Sequence, residues 1–503
     1  MENTFLDSLK RDMNYTETEN GGIAHKSTLN AVYDMFALGG AYRSRSDEDC
    51  IFLFKKALEE NEELALKCLF YLRDIRGGQG ERRFFRICFK WLAKEYPELA
   101  FRNLDLISEY GRWDDLYCVE GTELENDAFD IIQCQLNKDL KSLVENPKEA
   151  VSLLAKWLKS ENASAVETKR LANRTRKYLK YSHAEYRKIL SALRTRINIV
   201  EKLMSEGKWE EIEYAKLPSK AGLIYRNAFA RRDAERYADF INSKETKVNA
   251  ATLYPYEIVR KVINAIDYWN DNITLTNIER ETLNKYWRNQ KDYLNGQPCK
   301  MMCIVDTSGS MDSTYGTSVK PIDVAISLSM YCAERIGEPF KNYFISFSSR
   351  PQLIEIEGVD FCDKVRRIYQ QNLCENTNLK AVFDMLLNMY KNGKVNPEDM
   401  PEQLIVISDM EIDRGSYWKD NYWRNTEMEA IRNQWAIAGI KMPRLVYWNV
   451  AARNNLILDD ADNKDVTFVS GYSPTIFQSI LQGKSSIQLM LEILNSERYE
   501  QVK

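Results

Sequence analysis

From about residue 48 to 290 the apolar residues recur at helical spacing. Ala65, Cys68, Leu69 and Leu72 fall at i, i+3, i+4 and i+7, and Phe84, Ile87, Cys88 and Trp91 repeat that order, so each segment predicts an amphipathic helix that buries one stripe. Pro97, Gly111 and Gly121 punctuate the turns that follow. Consecutive helices joined by short turns point to stacked helix pairs, although no fixed repeat period runs through them; the simpler alternative is an irregular helical domain.

After about residue 298 the pattern changes to short apolar runs alternating with helical stretches. Met301–Val305, Tyr343–Phe347, Leu404–Ile407 and Leu445–Trp448 read as buried parallel strands, with helices expected at about 321–337, 378–392 and 425–438. This alternation predicts a doubly wound α/β domain. The turn Asn295-Gly296-Gln297-Pro298 marks the boundary, so the expected division is a helical domain over 20–294, an α/β domain over 295–485 and a C-terminal tail over 486–503.

Composition narrows the function classes. A chain of 503 residues carries more than one core, and its 70 Lys and Arg against 74 Asp and Glu leave no global field to draw it onto nucleic acid or anionic lipid. Any such binding must come from a local patch. No apolar run approaches a membrane span and the N-terminus lacks the order of a signal peptide, so the expected location is cytoplasmic, with no membrane partner. The ten cysteines are scattered without a C-x-x-C pair, which favours reduced core cysteines, and the two histidines, His25 and His183, argue against His-based catalysis and most zinc sites.

In open α/β sheets ligands gather beyond the carboxyl ends of the strands. The first strand ends in Asp306-Thr307-Ser308-Gly309-Ser310, which sets one carboxylate and two hydroxyls on a tight turn. Thr377 precedes a helix and Asp409 ends a later strand. Oxygen ligands of this kind suit a hard octahedral cation, Mg²⁺ or Mn²⁺, and few carboxylates among several hydroxyls would leave it able to accept an acidic group from a protein partner. A metal-dependent hydrolase would also need a base; these motifs hold no His or Lys, with Glu411 and Asp413 the only nearby carboxylates, so the chain is read as non-catalytic.

Lys169 to Lys202 is the most basic stretch, with eleven Lys and Arg against two Asp and Glu. Helical spacing lets Leu171, Thr175 and Tyr178 face inward, and Ile189, Leu193, Ile197 and Val200 form a second apolar stripe. Arg170, Arg174, Arg176, Lys177 and Lys180 on one helix, with Arg187, Arg194 and Arg196 on the next, would then present a basic surface suited to RNA phosphates, or only a solvated face. Tyr71–Arg83, rich in Gly and Arg, lacks a P-loop; it reads as a glycine turn between helices, or less simply as an anion-binding corner of Arg76, Arg82 and Arg83.

The order Asp-x-Ser-x-Ser, Thr377, Asp409 is that of the metal-ion-dependent adhesion site of von Willebrand factor A (vWA) domains, which this half resembles throughout. One departure stands out: Met410 occupies a position where those domains commonly have Gly, and Glu411 and Asp413 follow, carboxylates that could repel an acidic ligand or join the metal shell themselves. Together with Tyr71–Arg83, Glu161–Ser164, Tyr186–Leu190, Lys216–Ser219 and Tyr225–Phe229, the chain resembles a bacterial and phage family related to TROVE-domain proteins, over about residues 20–480. Its architecture is similar to that of the Ro autoantigen family. The resemblance implies HEAT-like helical repeats joined by a vWA domain, and binding of small structured RNA or of single-stranded RNA ends as a scaffold or quality-control factor. Only the metal residues carry over position by position. The alternative is a protein-interaction adaptor whose metal grips an acidic residue of a partner and whose helices hold a peptide.

Overall fold

The computed structural model describes residues 4–146, 149–197, 199–294, 299–347, 349–371, 377–413, 427–460, 463–481 and 483–503. The boundary turn expected at 295–298 and the start of the helix expected at 425 lie outside them.

The helical half follows the apolar stripes. Helices Asp47–Glu60 and Glu62–Arg73 meet at Asn61, which ends the first and caps the second by accepting a hydrogen bond from the Leu64 N–H at 2.9 Å. Ala65, Cys68, Leu69 and Leu72 are all buried, and Phe84 and Cys88 of helix Arg82–Glu95 pack beside the half-buried Ile87 and Trp91. A buried ion pair fixes this region: Arg73 donates from Nε to Asp115 Oδ2 at 2.9 Å, and Arg86 Nε donates to Asp115 Oδ1 at 2.6 Å. Arg73 and Asp115 are 1% and 0% exposed, so neither charge has water to fall back on. The described cysteines are all unpaired and most are buried.

The second half is built on a six-stranded sheet: β1 (Met301–Asp306), β2 (Tyr343–Phe347), β3 (Gln352–Glu355), β4 (Gln403–Ser408), β5 (Arg444–Asn449) and β6 (Val466–Ser470). The order is β6-β5-β4-β1-β2-β3, with all neighbours parallel except the β2–β3 hairpin. Four strands and helices Pro321–Arg335 and Leu379–Lys391 lie where the pattern placed them, and the third expected helix is Glu427–Ile437. β3 gave no signal because only Ile354 of its four residues is buried. From β1 the chain first adds β2 and β3 on one side and then β4 on the other, so the topological switch lies between the carboxyl ends of β1 and β4.

The two halves are interdependent. Helix Ala31–Leu38 packs on β6, and the Tyr33 hydroxyl both donates to Phe468 O at 3.2 Å and accepts from Phe468 N at 3.0 Å, satisfying an edge strand. At the other end of the helical half, Arg280 grips Asp360 with two bonds of 2.6 and 2.8 Å, and Trp287 stacks on Phe361 with ring centroids 4.4 Å apart.

The segment expected as a tail is part of this core. Helix Ser486–Leu494 buries Leu489, Met490 and Leu494, Arg498 Nη2 donates to Asp74 at 2.7 Å, and Lys503 N donates to Asn103 Oδ1 at 2.9 Å. Its short apolar stripe finds its partner surface on β6 and on helix Glu62–Arg73, far away in sequence.

Asp115→Ala is expected to lower the unfolding free energy by roughly 3–5 kcal/mol, because it strands the buried Arg73 charge. Arg73→Met with Asp115→Leu should cost less than that single change, and urea unfolding of both variants provides the check.

Candidate metal centre and basic cleft

Asp306, at the end of β1, is fully buried. Its Oδ1 accepts from the Ser308 N–H at 2.9 Å, and its Oδ2 accepts from the Ser408 hydroxyl at the end of β4. Ser308 and Ser310 hold their hydroxyls 3.0 Å apart in the turn. Asp409, also buried, follows β4 across the switch point. Thr377, buried just before helix Leu379–Lys391, donates to Asp413 Oδ1 at 3.0 Å, and Asp413 N donates to Thr377 O at 2.9 Å. The three expected segments therefore converge: Asp306 meets the Asp409 strand through Ser408, and Thr377 meets the Asp409 loop through Asp413.

Electrostatics at this point leave the carboxylates under-compensated. Burial and then the negative charge of Asp409 push the Asp306 carboxyl up to about 7, against the hydrogen bonds from Ser408 and Ser308. Burial likewise raises Glu411. Arg453 pairs with Asp409 at 3.1 Å, whereas Asp306 has no cationic partner among the described residues. Thr307 Oγ1, buried in the same turn, has no hydrogen-bond partner among them. No group of three or more His, Cys, Asp or Glu side chains suited to a metal occurs among the described residues. The set is instead two carboxylates and three hydroxyls, a donor chemistry that fits Mg²⁺ or Mn²⁺, whose two charges would offset both carboxylates.

Met410 adopts φ +67°, the left-handed region that glycine favours, which is the backbone reason a Gly would be easier here. Sequence reasoning missed the residues that cover the centre. Asn20 Nδ2 donates to Thr377 Oγ1 at 2.8 Å, Glu19 pairs with Arg453, and the Arg453 guanidinium lies 4.8 Å from the Tyr315 ring centre. An Asn20-Gly21 turn signal was legible, but not where it would dock.

Part of the basic stretch is neutralised. Arg170 pairs with Glu120 and Glu167, Arg174 with Glu120 and Glu125, and Arg176 with Glu161. Arg194 donates to the carbonyls of Ala155 and Leu158, and Arg196 to that of Glu149. Lys177, Lys180 and Arg187 stay exposed. Tyr178 stacks on Phe129 at 4.9 Å, a packing role. Arg187 and Arg194 line an opening of about 890 Å³, but Asp114, Glu161, Glu201 and Glu206 line it too.

A second opening, of about 630 Å³, lies between the two halves. Arg43, Arg82, Arg83, Arg86 and Lys220 line it with Tyr254, Tyr256 and Tyr472, against Asp47 and Glu81, and Thr317 and Ser318 close it from the loop that follows the Asp306–Ser310 turn. Arg82 is exposed and has no ion-pair partner among the described residues. Burial, and then the charges of Arg73 and Arg82, hold nearby Arg112 below the usual guanidinium range. The turn through Gly80 packs against Tyr254, whose hydroxyl donates to Gln79 O at 2.8 Å; Gly80 has φ +66°, and a side chain there would strike that hydroxyl.

Two family models match. One, described as a domain of unknown function (DUF2828), covers residues 18–120 and 150–311. The chain belongs to the DUF2828 family. The other, also described as a domain of unknown function (DUF7788), covers residues 300–502, so the Asp306–Ser310 turn falls in both and the DUF7788 match takes in nearly all of the terminal segment. The uncharacterized protein L728 of Acanthamoeba polyphaga mimivirus is 26% identical over 520 residues, spanning 96% of this chain and 87% of that protein. No described helix is long and apolar enough to cross a membrane.

The folded protein binds the Asp306 proton more tightly than the unfolded chain does. That contribution is present below the ordinary carboxylate range and is lost as pH rises through about 7. In EDTA, Asp306→Asn is therefore expected to melt several degrees above wild type at pH 8, with the gap closing toward pH 5. A gap independent of pH would count against this charge burial.

Proposed function

We propose that this protein is a non-catalytic RNA-binding scaffold, with HEAT-like helical repeats that start and end on a vWA-like domain, and that RNA phosphates enter the arginine-lined cleft between the halves. The cleft carries the reading. It gathers Arg43, Arg82, Arg83, Arg86 and Lys220 around one groove, and Arg82 stands exposed without an ion-pair partner among the described residues, the positive charge that the backbone of a single strand needs. The two-helix face from Arg170 to Arg196 is the second candidate surface: Arg170, Arg174 and Arg176 have acidic partners there, as Arg43, Arg83, Arg86 and Lys220 do in the cleft, while Lys177, Lys180 and Arg187 stay exposed.

In this reading the centre at Asp306, Ser308, Ser310, Thr377 and Asp409 holds one Mg²⁺ or Mn²⁺. The ion supplies positive charge at the switch point and joins three loops, one of which continues into the cleft wall at Thr317 and Ser318.

Fluorescence polarisation with a short single-stranded RNA over a salt series tests the cleft. Each phosphate contact contributes a log–log slope of roughly −0.7, so Arg82→Ala/Arg83→Ala/Lys220→Ala is expected to weaken binding about tenfold and to make the slope shallower by roughly two units. Arg170→Ala/Arg174→Ala/Lys177→Ala should stay within about threefold of wild type, because those side chains lie outside the cleft and would make no phosphate contact there. The reverse order would move the site to the two-helix face, and salt-insensitive binding would reject phosphate recognition. For the metal, Mg²⁺ is expected to raise the melting temperature of wild type by several degrees and to leave Asp306→Ala unchanged.

A further inference from the structure

Asp306, Ser308, Thr377 and Asp409 are 0–5% exposed, so a partner's acidic side chain would have to displace the residues that cover them. What covers them is the turn between strands Tyr15–Glu17 and Ile23–His25. That turn is fastened by its own hydrogen bonds: Thr18 Oγ1 donates to Ile412 O at 2.6 Å, Glu19 N to Glu411 Oε2 at 2.7 Å, and Asn20 Nδ2 to Thr377 Oγ1 at 2.8 Å and Glu411 O at 2.7 Å. Gly22 lies so close that an added Cβ would stand 2.7 Å from Ile412 O.

The turn brings a carboxylate to the ligand set. Glu19 and Asp409 are bound to the two terminal nitrogens of one guanidinium, that of Arg453. Sharing one planar guanidinium sets the Glu19 carboxylate beside that of Asp409. Among the described residues Arg453 is the one cation paired with any of Asp306, Asp409, Glu19 and Glu411. One positive charge therefore faces four carboxyl groups, two of them buried without a cationic partner.

We infer that Glu19 is the acidic ligand of this centre, supplied by the chain itself, so that a divalent ion clasps the N-terminal ribbon onto the α/β domain instead of gripping a partner. Arg453 holds the place of that ion: it neutralises Glu19 and Asp409 together, and metal binding releases it from Asp409. The inference rests on the metal-centre reading and goes beyond it in naming the ligand and its source.

The test uses the full chain and Mn²⁺. Calorimetric titration gives the affinity, and hydrogen exchange over residues 15–25 shows whether the ribbon tightens. Wild type is expected to bind one ion, with exchange at the turn amides slowed at least tenfold. Glu19→Gln should weaken binding about tenfold and abolish the slowing, while melting with wild type in EDTA. Arg453→Gln should tighten Mn²⁺ binding, because it removes the competing cation. Wild-type affinity and protection in Glu19→Gln would overturn the inference and leave the metal centre standing. Weaker binding in both Glu19→Gln and Arg453→Gln would assign both residues to ribbon packing and equally overturn it. If wild type binds no Mn²⁺, the metal-centre reading fails, and the clasp fails with it.

Discussion

Two carboxyl groups, Asp306 and Asp409, sit out of water at the ends of neighbouring parallel strands, and most of the surrounding structure answers the cost of placing them there. A buried carboxylate without compensation costs several kcal/mol. The compensation comes from three directions: the Ser308 N–H in the turn, the Ser408 hydroxyl at the end of β4 and Arg453 after β5. None of these is local to both acids. The site forms only when the sheet is assembled in its order with the N-terminus folded back over it.

The same dependence runs through the rest of the chain. The edge strand β6 has its backbone groups at Phe468 met by Tyr33, and helix Glu62–Arg73 has Asp74 held by Arg498 and Tyr499. The helical half is thus tied to the α/β half at its first helix, through the terminal segment, and again through Arg280 and Trp287. The cleft between the halves takes its walls from both, so its shape depends on these joints. The loop that carries Thr317 and Ser318 follows the Asp306–Ser310 turn, so the candidate metal centre and the cleft wall share one stretch of chain.

Charge counted along a sequence and charge available in a structure differ here for a definite reason. The Lys169–Lys202 stretch has eleven basic residues, yet Glu120 and Glu125 reach its arginines from another segment, and Glu161 and Glu167 from just before it. The Tyr71–Arg83 turn has fewer, but its Arg82 stays unpaired among the described residues and Arg43 and Lys220 join it from elsewhere.

The sequence by itself determined the helices that carry Leu69, Cys88, Arg174 and Leu193, three helices of the α/β half, four of the six strands, the carboxyl-end position of Asp306, Ser308, Ser310 and Asp409, and the local oddity at Met410. These follow from periodicity and turn chemistry, which act over a few residues. It did not determine β3, whose single buried residue leaves no pattern, or the role of the last eighteen residues, whose stripe needs a surface hundreds of positions away. It also could not place Glu19, Asn20 and Arg453 around Asp409, or bring Arg43, Lys220 and Tyr254 to one cleft. Those placements come from long-range packing and from pairing buried charge, and only the tertiary structure decides which distant side chain reaches a given acid.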